Sequence, residues 1–100
     1  MKTEFKEENN NYVMSFEGRF DATAAIQAEK SMKVLFESCG HDIILDCSKL
    51  VYISSSGLRI FLNVLKTTKA RGGHVFITGM NADINKIFAM TGFTNLFEFR

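Results

Sequence analysis

The spacing of apolar residues changes several times along the chain, and each change predicts an element. Residues 12–17 alternate apolar and polar side chains, which is typical of a half-buried strand. Residues 3–7 form a second candidate strand, and the asparagine run at residues 9–11 between the two favours a turn. The first part of the chain therefore predicts a β-hairpin.

A helical period of three to four residues begins after Gly18 and predicts a helix over residues 22–38. Asp21 stands at its N-cap position, and Gly40 follows where the helix should stop. The apolar positions of this segment are Ala25, Ile26, Ala28, Met32, Leu35 and Phe36.

Residues 42–47, with the continuous apolar run Ile43-Ile44-Leu45, and residues 75–78 are typical of buried strands in a parallel sheet. Between them the helical period returns, with Leu58, Phe61, Leu62 and Leu65 on one face, and ends at Arg71-Gly72-Gly73. Residues 83–90 predict a shorter helix closed by Gly92, with Ile84, Ile87 and Phe88 on its apolar side. Residues 96–99 predict a last edge strand.

The predicted order is β-β-α-β-α-β-α-β, and strand–helix–strand units with short connections imply parallel pairing. We therefore expect an α/β fold with a small mixed, mainly parallel sheet and helices packed on it. A length of 100 residues suits one domain over residues 1–100.

Composition argues against several classes of function. The net charge is only +1, and the sequence lacks the basic stripe of a nucleic-acid binder. The cluster of Lys66, Lys69 and Arg71 lies where a helix end favours cations. No apolar run approaches the roughly 20 residues that cross a bilayer, so we expect no membrane insertion. The polar, acidic N-terminus has no signal-peptide pattern, and we expect a cytoplasmic protein.

Candidate catalytic and metal-binding residues are scarce. Cys39 and Cys47 form no disulfide framework, and His41 and His74 each stand alone before a strand. The Walker pattern GxxxxGK[ST] is absent, and Ile53 occupies the place where a nucleophile elbow needs glycine before Ser55. We therefore expect no enzyme activity, no cofactor and no metal, although a triad assembled in space stays open.

The segment VYISSSGL, residues 51–58, is the most informative stretch. Three serines and a glycine have no use in a core, but they suit a strand-to-helix turn with the helix beginning near Gly57. A serine there can cap the helix, or can carry a phosphate held by the helix amides. Both interpretations are open on the local pattern.

The run DCSKLVYISSSGLRIFL, residues 46–62, resembles the signature of the STAS domain of bacterial anti-sigma-factor antagonists. Gly18-Arg19-Phe20-Asp21, Arg71-Gly72-Gly73 and residues 87–97 resemble other parts of that family's pattern. The matching signature positions are Asp46, Ser48, Leu50, Ile53, Ser55, Ser56, Gly57 and Leu58.

The resemblance implies a phosphorylation switch. The unmodified protein would bind an anti-sigma factor that is also a serine kinase, phosphorylation of Ser55 would end the binding, and a serine phosphatase would reset it. The family usually has aspartate before the acceptor, where this chain has Ser54, so Ser56 and then Ser54 are alternative acceptors. The expected partner-binding residues are Asp21, Thr23, Tyr52, Ser54, Ser56, Gly57 and Arg59.

Two other functions stay open. One is a STAS protein-interaction subunit without phosphorylation, for example in a lipid-transport complex, and the other is a small nucleotide-binding module using the serine-rich turn. STAS domains commonly continue into a final helix, whereas this sequence stops at Arg100. If an apolar face is exposed as a result, we expect a partner or self-association to cover it.

Overall fold

The computed structural model describes residues 1–37 and 41–100, and the elements below are those of the described residues. The strands are β1 (Lys2–Glu8), β2 (Asn11–Phe20), β3 (Asp42–Ile53), β4 (Val75–Thr78) and β5 (Glu98–Phe99). The helices are α1 (Ala22–Ser31), α2 (Lys33–Phe36), α3 (Ser55–Ala70) and α4 (Ala82–Thr91), and a 3₁₀ turn spans Phe93–Asn95.

Two asparagines close the predicted hairpin. Asn9 and Asn10 have φ values of 52° and 66°, a left-handed conformation that asparagine tolerates better than most residues. Glu8 then pairs with Asn11, and β1 runs antiparallel to β2 over its whole length. The predicted hairpin is confirmed, with Asn11 already in the second strand.

The five strands follow one another in the sheet in sequence order, β1-β2-β3-β4-β5. Only β1 is antiparallel to its neighbour, while the β2–β3, β3–β4 and β4–β5 pairs are parallel. The prediction of an α/β fold with a mixed, mainly parallel sheet is confirmed. The last strand is shorter than predicted, since Leu96 and Phe97 precede it and only Glu98–Phe99 pairs with β4.

The predicted end of the third strand at Cys47 is wrong, because β3 continues to Ile53. From Ser15 to Arg19 β2 advances four residues, while the paired segment of β3, from Asp46 to Tyr52, advances six. The two extra residues are bulges that reset the alternation of side chains. The buried positions in this part of β3 are consequently three residues apart: Cys47, Leu50 and Ile53.

The predicted first helix is also interrupted. Helix α1 ends at Ser31, buried Met32 follows with φ −88° and ψ 0°, and the short α2 completes the segment. The predicted end at Ser38 and Gly40 lies outside the described residues. Ile26 is 67% exposed, so its assignment to the apolar face is wrong. It is offset by about 100° around the helix from Ala25, which faces the core.

The helices and one face of the sheet share a single apolar core. Its centre is aromatic: the Phe61 ring lies 5.2 Å from Phe16, 5.6 Å from Phe20 and 6.5 Å from Phe88, between ring centroids. Helix α3 therefore packs against β2 through Phe61, and the same ring meets Phe88 of α4. Within residues 1–37 and 41–100, no helix is both long and apolar enough to span a bilayer.

Cys47 is fully buried in this core, and desolvation raises the pKa of its thiol from 9.0 to about 12, with a smaller contribution from the Asp46 charge. The native state therefore keeps a proton that the unfolded chain releases above pH 9. Since the unfolded state then binds fewer protons than the native state, stability falls as the pH rises from about 9 to 12.

We predict that this thiol lowers the free energy of unfolding by about 1.4 kcal/mol between pH 7 and pH 10. The measurement is urea unfolding of Cys39→Ser, in which Cys47 is the one remaining thiol, beside Cys39→Ser/Cys47→Ala. The double variant should lose about that much less stability over the same pH interval. Equal losses in the two proteins would contradict a buried, neutral Cys47.

Candidate functional site

The serine-rich turn begins a helix directly at the end of β3. Ser54 has extended backbone angles, and its Oγ accepts a hydrogen bond of 3.2 Å from the Gly57 N–H. This geometry is that of a helix N-cap, so the capping interpretation is confirmed for Ser54. Helix α3 starts at Ser55, two residues before the predicted start.

A second helix begins beside the first. The Asp21 carboxylate accepts a hydrogen bond of 2.9 Å from the Ala24 N–H, which confirms Asp21 as the N-cap of α1. The Ser54 N–H donates to the Phe20 carbonyl at 2.8 Å. This bond joins the carboxyl-terminal ends of β2 and β3, so the fold brings Asp21 and Ser54 to adjacent positions there.

Gly57 lies in the core, and the expectation that the turn's glycine has no place there is wrong. A Cβ at this position would lie 2.8 Å from Ile53 Cγ1 and 2.8 Å from Phe20 Cδ1. Both neighbours are fully buried, so neither can move away cheaply. Glycine at this position lets α3 approach β2 and β3, and its burial removes it from the accessible part of the site.

The three serines differ in accessibility. Ser55 is exposed, whereas Ser54 and Ser56 are half-buried. Ser56 lies in a groove between α1 and α3 together with exposed Ile26 and exposed Arg59. The remaining residues of the groove are Ala22, Ala25, Glu29 and Ile60.

The predicted partner-binding residues Thr23 and Tyr52 are not part of this groove. Thr23 is exposed in the first turn of α1. Tyr52 is half-buried and pairs in register with Arg19, whose guanidinium lies 4.4 Å from the centre of the tyrosine ring. Because neighbouring Phe20 and Ile53 face the core, Arg19 and Tyr52 face the opposite side of the sheet and lie outside the groove.

Several signature residues have structural roles. The Asp46 carboxylate accepts a 3.0 Å hydrogen bond from the Ser48 N–H at the first bulge. Gly79 approaches Ser48 so closely that a Cβ on it would lie 2.8 Å from the Ser48 Cα.

Sequence analysis missed Asn81. Its side-chain oxygen accepts the Ile84 N–H at 2.9 Å and so caps α4, and its amide nitrogen donates to the Leu50 carbonyl at 2.9 Å. An asparagine before a helical period was the available signal.

The two histidines lie at the other end of the sheet. His41 and His74 precede β3 and β4, whereas the serines follow the carboxyl end of β3. His74 Nδ1 is 3.2 Å from a Glu98 carboxylate oxygen, and His41 Nε2 is 3.7 Å from Glu7. The fold therefore does not assemble a serine–histidine pair at the turn. The described residues also contain no group of three or more metal-ligating side chains.

Comparison with known proteins gives one consistent family. Residues 2–100 match the model of the STAS domain. The anti-sigma-B factor antagonist of Listeria monocytogenes is 24% identical over 98 residues, which cover 97% of this chain and 86% of that protein.

Two solved structures share the fold. The anti-sigma factor antagonist SpoIIAA in its unphosphorylated form has a TM-score of 0.82 and 19% identity, covering 99% of this chain and 88% of its own. The phosphorylated form of the Bacillus cell fate determinant SpoIIAA has a TM-score of 0.74 and 18% identity, covering 99% of this chain and 91% of its own.

The close approach at Gly57 predicts that Gly57→Ala is destabilising, although alanine favours a helix by about 1 kcal/mol. Overpacking against Phe20 and Ile53 should lower the free energy of unfolding by about 1–3 kcal/mol in urea titrations. Asn63→Ala, at an exposed position of the same helix, is the matched control and should change stability by no more than about 0.5 kcal/mol. A Gly57→Ala protein as stable as that control would disprove the close packing.

The cap at Ser54 gives a second prediction. Ser54→Ala should cost about 1 kcal/mol of stability because the Gly57 N–H loses its acceptor, whereas Ser54→Asp keeps an acceptor and should stay within about 0.5 kcal/mol or gain stability. Thermal and urea unfolding measure both. Ser55→Ala, one residue along, is the control. The capping role fails if the alanine variants at 54 and 55 are equally stable.

Proposed function

This chain belongs to the STAS domain family, and on that premise we propose that it is an anti-sigma factor antagonist switched by phosphorylation of Ser55. In its unmodified form it binds an anti-sigma factor that is also a serine kinase. Transfer of a phosphate to Ser55 ends the binding, and a serine phosphatase restores it. The antagonist role is supported by the Listeria relative, and the existence of a phosphorylated SpoIIAA structure supports the modification.

The observation that carries the choice of acceptor is the exposure of Ser55. A kinase must bring the γ-phosphate of ATP in line with the serine oxygen, which requires an accessible hydroxyl. Ser54 is half-buried and its Oγ is occupied as a cap, and Ser56 is half-buried in the groove. Ser55 is the exposed hydroxyl of the three, so we favour it over the two alternatives.

The groove between α1 and α3 provides a docking surface next to that serine. Ile26 is 67% exposed and offers apolar area, while exposed Arg59 provides a polar contact in the same groove. Thr23 is exposed one turn before Ile26 on α1. Apolar contacts surrounded by polar ones are the usual composition of protein interfaces. Asp21, Ser54 and Gly57 then act mainly by shaping the surface, and Tyr52 would contact only a partner that extends to the other side of the sheet.

A phosphate on Ser55 would stand beside this groove, next to Ser56. It adds a charge of about −1.5 to −2, and burying that charge against a partner carries a desolvation penalty. A loss of about 3–4 kcal/mol of binding free energy corresponds to a 100- to 1,000-fold weaker complex. Because Ser55 is already exposed, the modification needs no refolding of the domain.

The test is incubation of the protein with ATP and anti-sigma-type serine kinases, followed by intact-mass and site-mapped mass spectrometry. We expect one phosphate on Ser55, none on Ser55→Ala, and a 100- to 1,000-fold loss of kinase binding by calorimetry after modification. Ser31→Ala, at an exposed serine elsewhere, should be phosphorylated normally.

Three outcomes would count against the proposal. Phosphate mapped to Ser54 or Ser56 would show that Ser55 is not the acceptor. Stable binding to a partner with no modification of any of the three serines would make the chain an interaction subunit without a switch. Binding of ATP by the isolated chain would instead support a nucleotide-binding module.

A further inference from the structure

Arg59 lies four residues after Ser55 in α3, and both side chains are exposed. Residues four apart on a helix project from the same face, with Cβ atoms about 5–6 Å apart. The side chain of an arginine can span that distance to a group attached to the serine oxygen. Helix geometry therefore places a guanidinium within reach of any substituent on Ser55.

Arg59 has no ion pair among the described residues. Glu29 lines the same groove, but its carboxylate is not within 4.0 Å of the guanidinium. The first turn of α3 contains no acidic residue, and its cap, Ser54, is neutral. The beginning of this helix thus has an exposed cation without an ion pair. The carboxylates on the neighbouring helix α1 are Asp21, which accepts the Ala24 N–H as a cap, and Glu29, which lines the groove.

We propose that Arg59 binds the phosphate on Ser55 in the modified protein, forming an (i, i+4) ion pair with it. The inference rests on the proposed phosphorylation of Ser55. Arginine suits this task because its planar guanidinium can donate two hydrogen bonds to a phosphate. The order matches too: an anion nearer the helix N-terminus and a cation one turn later is the favourable arrangement on a helix.

This pairing gives the modification a second effect on the docking surface. In the unmodified protein Arg59 is available to a partner in the groove that it shares with Ile26 and Ser56. In the phosphorylated protein the same guanidinium is engaged with the phosphate. The switch therefore both adds a negative group and removes a positive one from the surface.

The test uses chains in which phosphoserine is placed at position 55 during synthesis, so that no kinase is involved. The ³¹P chemical shift, followed against pH at low salt, gives the second pKa of the phosphate, which is about 6 in an unpaired phosphoserine. A cation paired with the phosphate stabilises the dianion and lowers this pKa. Arg59→Gln should therefore raise it by about 0.2–0.4 pH units relative to the unsubstituted phosphorylated chain.

Two further variants isolate the pairing. Lys66→Gln removes the same charge from an exposed site on α3, about 16 Å further along the helix than Ser55, and should move the pKa by less than about 0.1 units. Arg59→Lys keeps the charge but loses the planar two-donor geometry, so it should raise the pKa by less than Arg59→Gln does. Equal shifts in Arg59→Gln and Lys66→Gln, or a shift in Arg59→Lys as large as that in Arg59→Gln, would overturn the inference.

The outcome is separate from that of the proposed function. A chain that no kinase modifies would still show the Arg59-dependent shift, because its phosphate was introduced by synthesis. A phosphate pKa that does not change in Arg59→Gln would refute the pairing. It would not affect the separate finding of whether kinases phosphorylate Ser55.

Discussion

The site depends on one backbone hydrogen bond, from the Ser54 N–H to the Phe20 carbonyl, at the edge where β2 and β3 end. Strand β3 reaches that point only because its two bulges add two residues relative to β2. Both strands then pass into helices at the same place, and the caps Asp21 and Ser54 lie side by side. Buried Gly57 allows α3 to pack closely onto the two strand ends. The exposed first turn of α3 is thus held in place by the Ser54 cap and by the contacts of Gly57 with Phe20 and Ile53.

Most residues of the STAS signature have a structural role in holding this turn and the strands before it. Asp46 and Ser48 form a bulge, Leu50, Ile53 and Leu58 fill the core, and Gly57 permits close packing. These positions have structural roles within the domain. The neutral cap also matters electrostatically, because the first turn of α3 carries no acidic side chain before modification. A phosphate there would change the charge of that turn from zero to about −2.

Much of the fold was predictable because periodicity and end signals agreed. The hairpin, the buried strands, the Asp21 cap and the Gly92 stop all occur where the pattern placed them. The extension of β3 was not predictable, since bulges change the spacing of buried residues from two to three and bring polar Ser48 and Lys49 into the strand. The break at Met32 has no glycine or proline to mark it.

The candidate site was predictable to a different degree. The turn itself and a capping serine followed from local chemistry, because a run of hydroxyl side chains before a helix has few other uses. The relative exposure of Ser54, Ser55 and Ser56 did not, since it depends on how α3 meets α1 and the sheet. The same is true of Gly57, whose neighbour Phe20 is 37 residues earlier in the sequence. Exposed Ile26 was wrongly assigned to the core. It lies at the border of the apolar stripe of α1, where the local sequence does not tell whether a side chain faces the core or the solvent.

The sequential order of the strands has a consequence for how the chain acquires its structure. Each strand from β2 onward pairs with the one made immediately before it, so no strand after β1 has to wait for a later part of the chain to provide a neighbour. The same direction holds at the site: the first turn of α3 packs against Phe20 and Ile53, which both leave the ribosome earlier. The order in which the strands are made therefore matches the order in which they pair in the sheet. Both packing partners of Gly57 are already part of the chain when the first turn of α3 is made.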